Sequence, residues 1–220
     1  TKIRLTDSRG KPSGDLRITT TLALGALWLT PRLDEFMDLY PDIRIQLILD
    51  DHEVDLGTGQ ADIALRFQPP SQNDLVRRKL FVVHNHIYAS VDYVNKHGAP
   101  RSFQDLDNHR VMIYGDTAPP HLRRLNWLET AGRENSEPRR PAMQINSVLG
   151  LREAVREGVG IAFLPDYVAR EDPRLVEVLK DETGVPEFEV YFAYPEEMRS
   201  AKRIDVFRDF LIAKAREWSY

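Results

Sequence analysis

Apolar positions in this chain alternate between short runs of period two and longer runs of helical period. Leu16–Thr20 alternates apolar and polar residues, which predicts a strand ending on hydroxyls. From Leu22 to Tyr40, apolar residues at Leu22, Ala26, Leu29, Leu33, Phe36, Met37 and Tyr40 recur close to the helical period. Thr20 or Thr21 is placed to cap this helix. Pro31 should kink or split it, with Thr30 capping the second part, and Pro41 should stop it. Ile43–Leu49 then reads as a buried strand, Val54–Gly57 as a short helix and Asp62–Phe67 as another strand. The β-rich run Leu75–Ala89, broken only by His84-Asn85-His86, is long enough to leave one lobe and enter a second.

The second region opens with a short helix, a Gly/Pro turn and a helical stub, followed by a strand at Arg110–Tyr114 and a further strand at Leu125–Glu129 around Trp127. Residues 133–141 are polar and expected to be exposed. Met143–Ile145 is a short strand. Asn146 or Ser147 caps a helix with Val148, Leu151 and Val155 inward, ended tightly by Gly158-Val159-Gly160, and Ile161–Leu164 is a buried strand. Phe188–Tyr194 alternates back toward the first lobe. A last helix, Ala201–Trp218, sets Ile204, Phe207, Leu211 and Trp218 on one face. Strands alternating with helices predict an α/β fold. Crossings near Ile87 and Phe192 divide it into a discontinuous lobe I (14–87 with 194–220) and a continuous lobe II (88–193), after a linker remnant at 1–13. A cleft between two such lobes is the expected ligand site.

Composition narrows the function. With 30 Lys and Arg against 34 Asp and Glu, the net charge of −4 argues against a nucleic-acid surface on this piece, because duplex binding relies on neutralising phosphates. The chain has no cysteine, so thiolate chemistry and disulfides are excluded. No apolar run reaches transmembrane length, no signal-peptide core is present, and a cytoplasmic location is expected. Catalytic chemistry finds little support. His84 and His86 share a strand face but lack a third ligand, so no metal is expected. Asp50-Asp51-His52-Glu53 is acidic, yet adjacent carboxylates at a strand end point apart and suit a cap for the next helix. Gly158-Val159-Gly160 follows a helix and is not a phosphate loop, and no Walker, zinc or nucleophile-elbow motif occurs. No catalytic residue and no cofactor is assigned. What remains is polar groups at helix starts. Thr19, Thr20 and Thr21 stand at one, Asn146 and Ser147 at another. Both suit a small anion or serve only as strand and cap residues. Arg66 supplies either a ligand contact or a structural ion pair. Trp127, Tyr114 and Phe163 fit a core more readily than a ligand-stacking role.

The order of several segments resembles one family closely: GDLRI, LTPRLDEFMDLYPDIRIQL, GQADIALRF, YASVDYVNKHGAP with FQDLDNHR, INSVLGLREAVREGVGIAFLP and VYFAYPEEMRSAKRIDVFRDFL, from about Gly14 to Leu211. Together they resemble the C-terminal effector-binding domain of LysR-type transcriptional regulators. Val91 departs from the pattern, where many relatives have proline. The resemblance implies two Rossmann-like lobes joined by crossover hinge strands, like a type 2 periplasmic binding protein, and an effector held between the lobes. It implies effector contacts from Thr19, Thr20, Thr21 and Leu22, from Asp51, Arg66 and Phe67, and from Asn146, Ser147, Val148 and Phe163. The effector would be a small, anionic metabolite. The partner would be a second copy, giving a homodimer (or a tetramer at full length) through the Leu22–Tyr40 helix. DNA would be met only through a winged helix-turn-helix that this chain lacks, and no membrane is involved. A solute-binding protein of a transport system, with the same fold, is the alternative.

Overall fold

A computed structural model describes residues 10–69, 72–133 and 136–219; residues 1–9 of the segment read as linker lie outside them. In chain order the first elements are β1 (Gly14–Thr20), α1 (Leu22–Leu24), α2 (Thr30–Leu39), β2 (Ile43–Leu49), β3 (Ile63–Arg66), β4 (Leu75–Val83), β5 (Asn85–Ser90) and α3 (Val91–His97). They are followed by β6 (Val111–Ile113), β7 (Met143–Gln144), α4 (Val148–Arg156), β8 (Ile161–Pro165), α5 (Asp166–Ala169), β9 (Leu175–Val178), β10 (Phe188–Pro195) and α6 (Lys202–Arg216). The chain divides into two compact units, one holding the residues up to Phe81 with Glu189–Ser219, the other Val82–Phe188. The passages between them fall a few residues before the positions the sequence pattern marks. Residues 82–87 belong to the second unit and 189–193 to the first.

Unit 1 is a five-stranded sheet in the order β2-β1-β3-β10-β4. β1, β2 and β3 are parallel, with Thr20 level with Leu49 and Leu65, so three carboxyl ends finish side by side. β10 runs antiparallel to β3. Aromatic packing fixes the helices: Phe36 of α2 meets Phe207 of α6 edge-on at 5.0 Å, and Trp28 lies 4.7 Å from Phe81. Met37, counted in the apolar stripe of the first helix, is instead 51% exposed. The reason lies earlier in the helix. Residues Gly25–Leu29 form a π-helical segment, in which the Thr30 N–H reaches the Gly25 carbonyl. Pro31 offers no N–H to residue 27, and its ring crowds that carbonyl, so the helix widens ahead of the proline rather than breaking. The wider turn shifts the face that later residues present. Thr30 does not act as a cap; its hydroxyl donates back to the Gly25 carbonyl at 2.8 Å.

Unit 2 is a second five-stranded sheet, β7-β6-β8-β5-β9. β6, β7 and β8 are parallel, whereas β5 is antiparallel to β8 and β9. Its core is Ile87, Val111–Ile113, Leu151, Val155 and Ile161–Leu164. The strand expected at Leu125–Glu129 is instead the end of a 3-10 helix, Pro120–Glu129, with Leu122, Leu125 and Leu128 buried. Three apolar residues at a spacing of three match the 3-10 repeat, and a short window around Trp127 does not separate that from a strand. Within the polar stretch expected to be exposed, Arg139 is instead buried, because it donates to the carbonyls of Leu128, Ala131 and Phe103 and to Asp107. No helix among the described residues is long and apolar enough to cross a membrane.

Candidate functional site

Parallel register brings seven of the expected site residues to one place. Thr19 and Thr20 end β1, Thr21 and Leu22 lead into α1, Asp51 follows β2, Arg66 ends β3 and Phe67 follows it. In open α/β sheets this carboxyl edge is where ligands bind, because strand ends and helix starts leave polar groups unpaired. Here the edge is tightly built. The Asp50 N–H donates to the Thr20 carbonyl at 3.0 Å, extending the β1–β2 pairing by one step. Arg66 is 1% exposed, and its guanidinium donates to the Thr19 hydroxyl (2.8 Å) and the carbonyls of Asp50 (2.9 Å) and His52 (3.0 Å). Its guanidinium thus cross-links three strand ends through a hydroxyl and two carbonyls, where the sequence left open a ligand contact or an ion pair with a carboxylate. Burial pushes its pKa down to about 10, against the pull of Glu53, Asp50 and Asp51. The Asp50 carboxyl is held below its ordinary value, first by the His52 backbone N–H.

The helix start differs from the expectation. Neither Thr20 nor Thr21 caps it. Thr21 occupies the cap position with extended backbone and no side-chain cap bond. The cap is Asp51, whose Oδ1 accepts the Leu22 N–H at 2.9 Å across the sheet. The acidic pair therefore does cap a helix, but the one 29 residues earlier in the chain. The hydroxyls of Thr20 and Thr21 are buried without a hydrogen-bond partner. The helix also packs flush on β1: a Cβ at Gly25 would stand 2.7 Å from the Thr20 methyl.

The other four residues lie in unit 2. Asn146, Ser147 and Val148 start α4, after β7, and Ser147 Oγ accepts the Gly150 N–H at 3.2 Å as the N-cap. Phe163 is not part of that helix start. It lies within β8, 1% exposed, with its ring 5.2 Å from that of Trp127. Trp127 is half-buried and meets Phe103 edge-on. Sequence reasoning passes over Asn126, which clamps the loop after β6 by exchanging hydrogen bonds with the Gly115 N–H and carbonyl, each 3.0 Å. A strand reading of that segment hides this, and a glycine after a strand is the only signal. The histidines of the β4–β5 run are paired separately: His86 lies 2.7 Å from the buried Asp166, which also accepts the Tyr88 hydroxyl, and His84 lies 2.9 Å from Glu187. Burial, then the Asp166 charge, raises the Tyr88 pKa. Among the described residues no group of three His, Cys, Asp or Glu is arranged to hold a metal ion.

A family model described as the LysR substrate binding domain matches residues 9–216. The chain belongs to this family. An HTH-type transcriptional regulator of Xanthomonas campestris is 30% identical over 207 residues, 92% of this chain and 60% of that protein. CrgA of Neisseria meningitidis serogroup C, another HTH-type transcriptional regulator, is 29% identical over 91% of this chain and 67% of its own length. Among solved structures, the regulatory domain of CrgA, a LysR-type transcriptional regulator, superposes with a TM-score of 0.82 at 28% identity, covering 93% of this chain and all of that one. Full-length AphB, a virulence activator of Vibrio cholerae in the same family, gives 0.73 at 25% identity, over 94% of this chain and 71% of its own. This LysR-type domain thus has the two-sheet α/β fold of these regulatory domains. Its relatives favour the regulator over the transport reading. It spans 60% and 63% of the length of the first two curated relatives it matches.

Proposed function

We propose that this LysR-type domain senses a small metabolite for a cytoplasmic transcription factor. The metabolite contacts the strand ends at Thr19–Leu22, Asp51 and Phe67 of the first unit. One observation carries the reading: a family match across residues 9–216 coincides with polar groups gathered at the carboxyl ends of parallel strands. Within the second unit, the α4 start at Asn146–Val148 is a separate candidate for an acidic group, because first-turn amides have no partner within a helix and Ser147 Oγ accepts the Gly150 N–H there. The effector acts by differential affinity for two states of the domain and leaves unchanged. DNA is bound through a helix-turn-helix elsewhere in the full-length protein. A homodimer forms on the helix at residues 22–39, which exposes Leu27, Met37 and Leu39.

A thermal-shift screen of small metabolites tests this. A compound at a hundred times its dissociation constant stabilises the native state by about 2.7 kcal/mol. The expected hit is recovered chemically intact and alters the DNA footprint of the full-length protein. A hit that is converted to product, or that leaves the footprint untouched, overturns the proposal.

A further inference from the structure

His86 and Tyr88 stand two apart on β5, so they share one face of the second sheet. Antiparallel pairing with β9 sets Glu177 opposite Tyr88, diagonal to His86 and within reach of its ring. On the other side β8 pairs with β5 and delivers Asp166 just past its end. The His86 Nδ1 lies 2.7 Å from Asp166 Oδ1, which also accepts the Tyr88 hydroxyl at 2.9 Å. A carboxylate oxygen only accepts, so Nδ1 carries the hydrogen, and Nε2 of the neutral ring is left as a bare lone pair. That lone pair lies 3.7 Å from Glu177 Oε1, too far for a hydrogen bond. Two acceptors facing each other at that spacing call for a cation between them. Bonds of about 2.0–2.2 Å from a tetrahedral ion to a nitrogen and an oxygen leave those two atoms about 3.4 Å apart, so a small side-chain shift closes the site. The Asp166 carboxyl, 5% exposed, holds the ring from behind, while His86 at 36% and Glu177 at 27% stay open to solvent. Burial raises the Tyr88 pKa first, and the charges of Asp166 and Glu177 add to it against that of Arg170, so negative charge prevails around the ring. His84 takes no part, because it lies 2.9 Å from Glu187.

We propose that His86 Nε2 and Glu177 hold a divalent transition-metal ion such as zinc, with Asp166 orienting the imidazole and water completing the coordination. A carboxylate behind a ligating histidine fixes its tautomer and strengthens it as a ligand. Imidazole with one carboxylate suits zinc, nickel or copper, whereas calcium and magnesium take oxygen ligands. Two protein ligands make an open, exchangeable site rather than a closed structural one, in keeping with the lack of any three-residue group among the described residues. His86, Tyr88, Asp166 and Glu177 all belong to the second unit, so the site takes nothing from the first and stands independently of the effector reading. β9 is the edge strand of its sheet, and an ion bridging β5 to β9 fastens that edge.

Zinc chloride titrated into the isotope-labelled chain tests this through the His86 ring signals and the Glu177 amide, with thermal denaturation alongside. In the wild type, zinc shifts both signals saturably and raises the unfolding temperature, and magnesium chloride does neither. His86→Ala abolishes the zinc response at Glu177, whereas His84→Ala leaves it unchanged. Asp166→Asn weakens zinc by about 10–100-fold, the effect of losing an orienting partner, and Glu177→Gln weakens it by at least as much. If Asp166→Asn does not fold, the partly exposed Glu177→Gln decides. A wild type whose His86 signals do not respond saturably to zinc overturns the proposal, as does equal zinc affinity in the wild type and Glu177→Gln. His86 signals that move with pH but ignore zinc would mean that a proton alone joins the two acceptors, and this outcome overturns it too.

Discussion

At the scale of single residues, the candidate site is governed by two charges with opposite assignments. Arg66 reads in sequence either as a charge available to a ligand or as half of a structural ion pair. Its burial and its three oxygen acceptors make it the fastening of the β1, β2 and β3 ends instead. Replacement by methionine keeps much of the apolar stem but leaves the Thr19 hydroxyl and two carbonyls unpaired. Arg66→Met should lower stability by about 2–4 kcal/mol, read as a shifted urea midpoint. A loss within a few tenths would mean that water replaces the guanidinium at no cost. Asp51 carries the converse lesson. In sequence it reads as a cap for the next helix, and only the parallel register of β1 and β2 brings it to a helix start 29 residues earlier.

Individual elements follow their sequence patterns wherever the pattern is long. β1, β2, β8, α4 and α6 lie where the strand and helix periods place them. Misreadings gather at short windows and special turns: the 3-10 helix Pro120–Glu129, whose end resembles a strand, and the π segment before Pro31. The Gly158-Val159-Gly160 turn is legible. Gly158 takes a left-handed φ of 73° just past the α4 cap, and Gly160 lets β8 approach the Arg110 backbone. A Cβ at Gly160 would lie inside contact distance of the Arg110 carbonyl oxygen, a backbone atom that cannot swing away. Gly160→Ala should therefore cost about 1–3 kcal/mol of overpacking. Gly184→Ala, where a Cβ meets nothing within 4 Å, is the useful comparison at a position with φ of 80°. Its loss comes from backbone strain alone. Thermal denaturation of both variants separates the two causes; equal losses would mean that Gly160 is not set by packing.

For the whole molecule, assembly is the question that the exposed apolar surface raises. The helix at residues 22–39 leaves Leu27 38%, Met37 51% and Leu39 58% exposed, three large apolar side chains on one element. Water disfavours such a surface, and a second copy of the chain is the proposed cover. Sedimentation of the wild type should show a dimer, and Met37→Glu combined with Leu39→Glu should shift it to monomer without unfolding. A wild type that stays monomeric at high concentration would remove this assembly.

The α/β class, the family and the order of the elements are written in the chain, because hydrophobic period and turn residues act locally along it. So are the strand ends that matter, since hydroxyls and acids placed directly after apolar runs stand out in one dimension. What those residues do emerges only when the sheet assembles. Register between strands distant in sequence hands the helix start to Asp51, buries Arg66 among oxygen acceptors and leaves the Thr20 and Thr21 hydroxyls unpaired. Such pairings depend on which groups meet across the sheet and on how little water remains there, and neither quantity is a property of neighbouring residues in the chain.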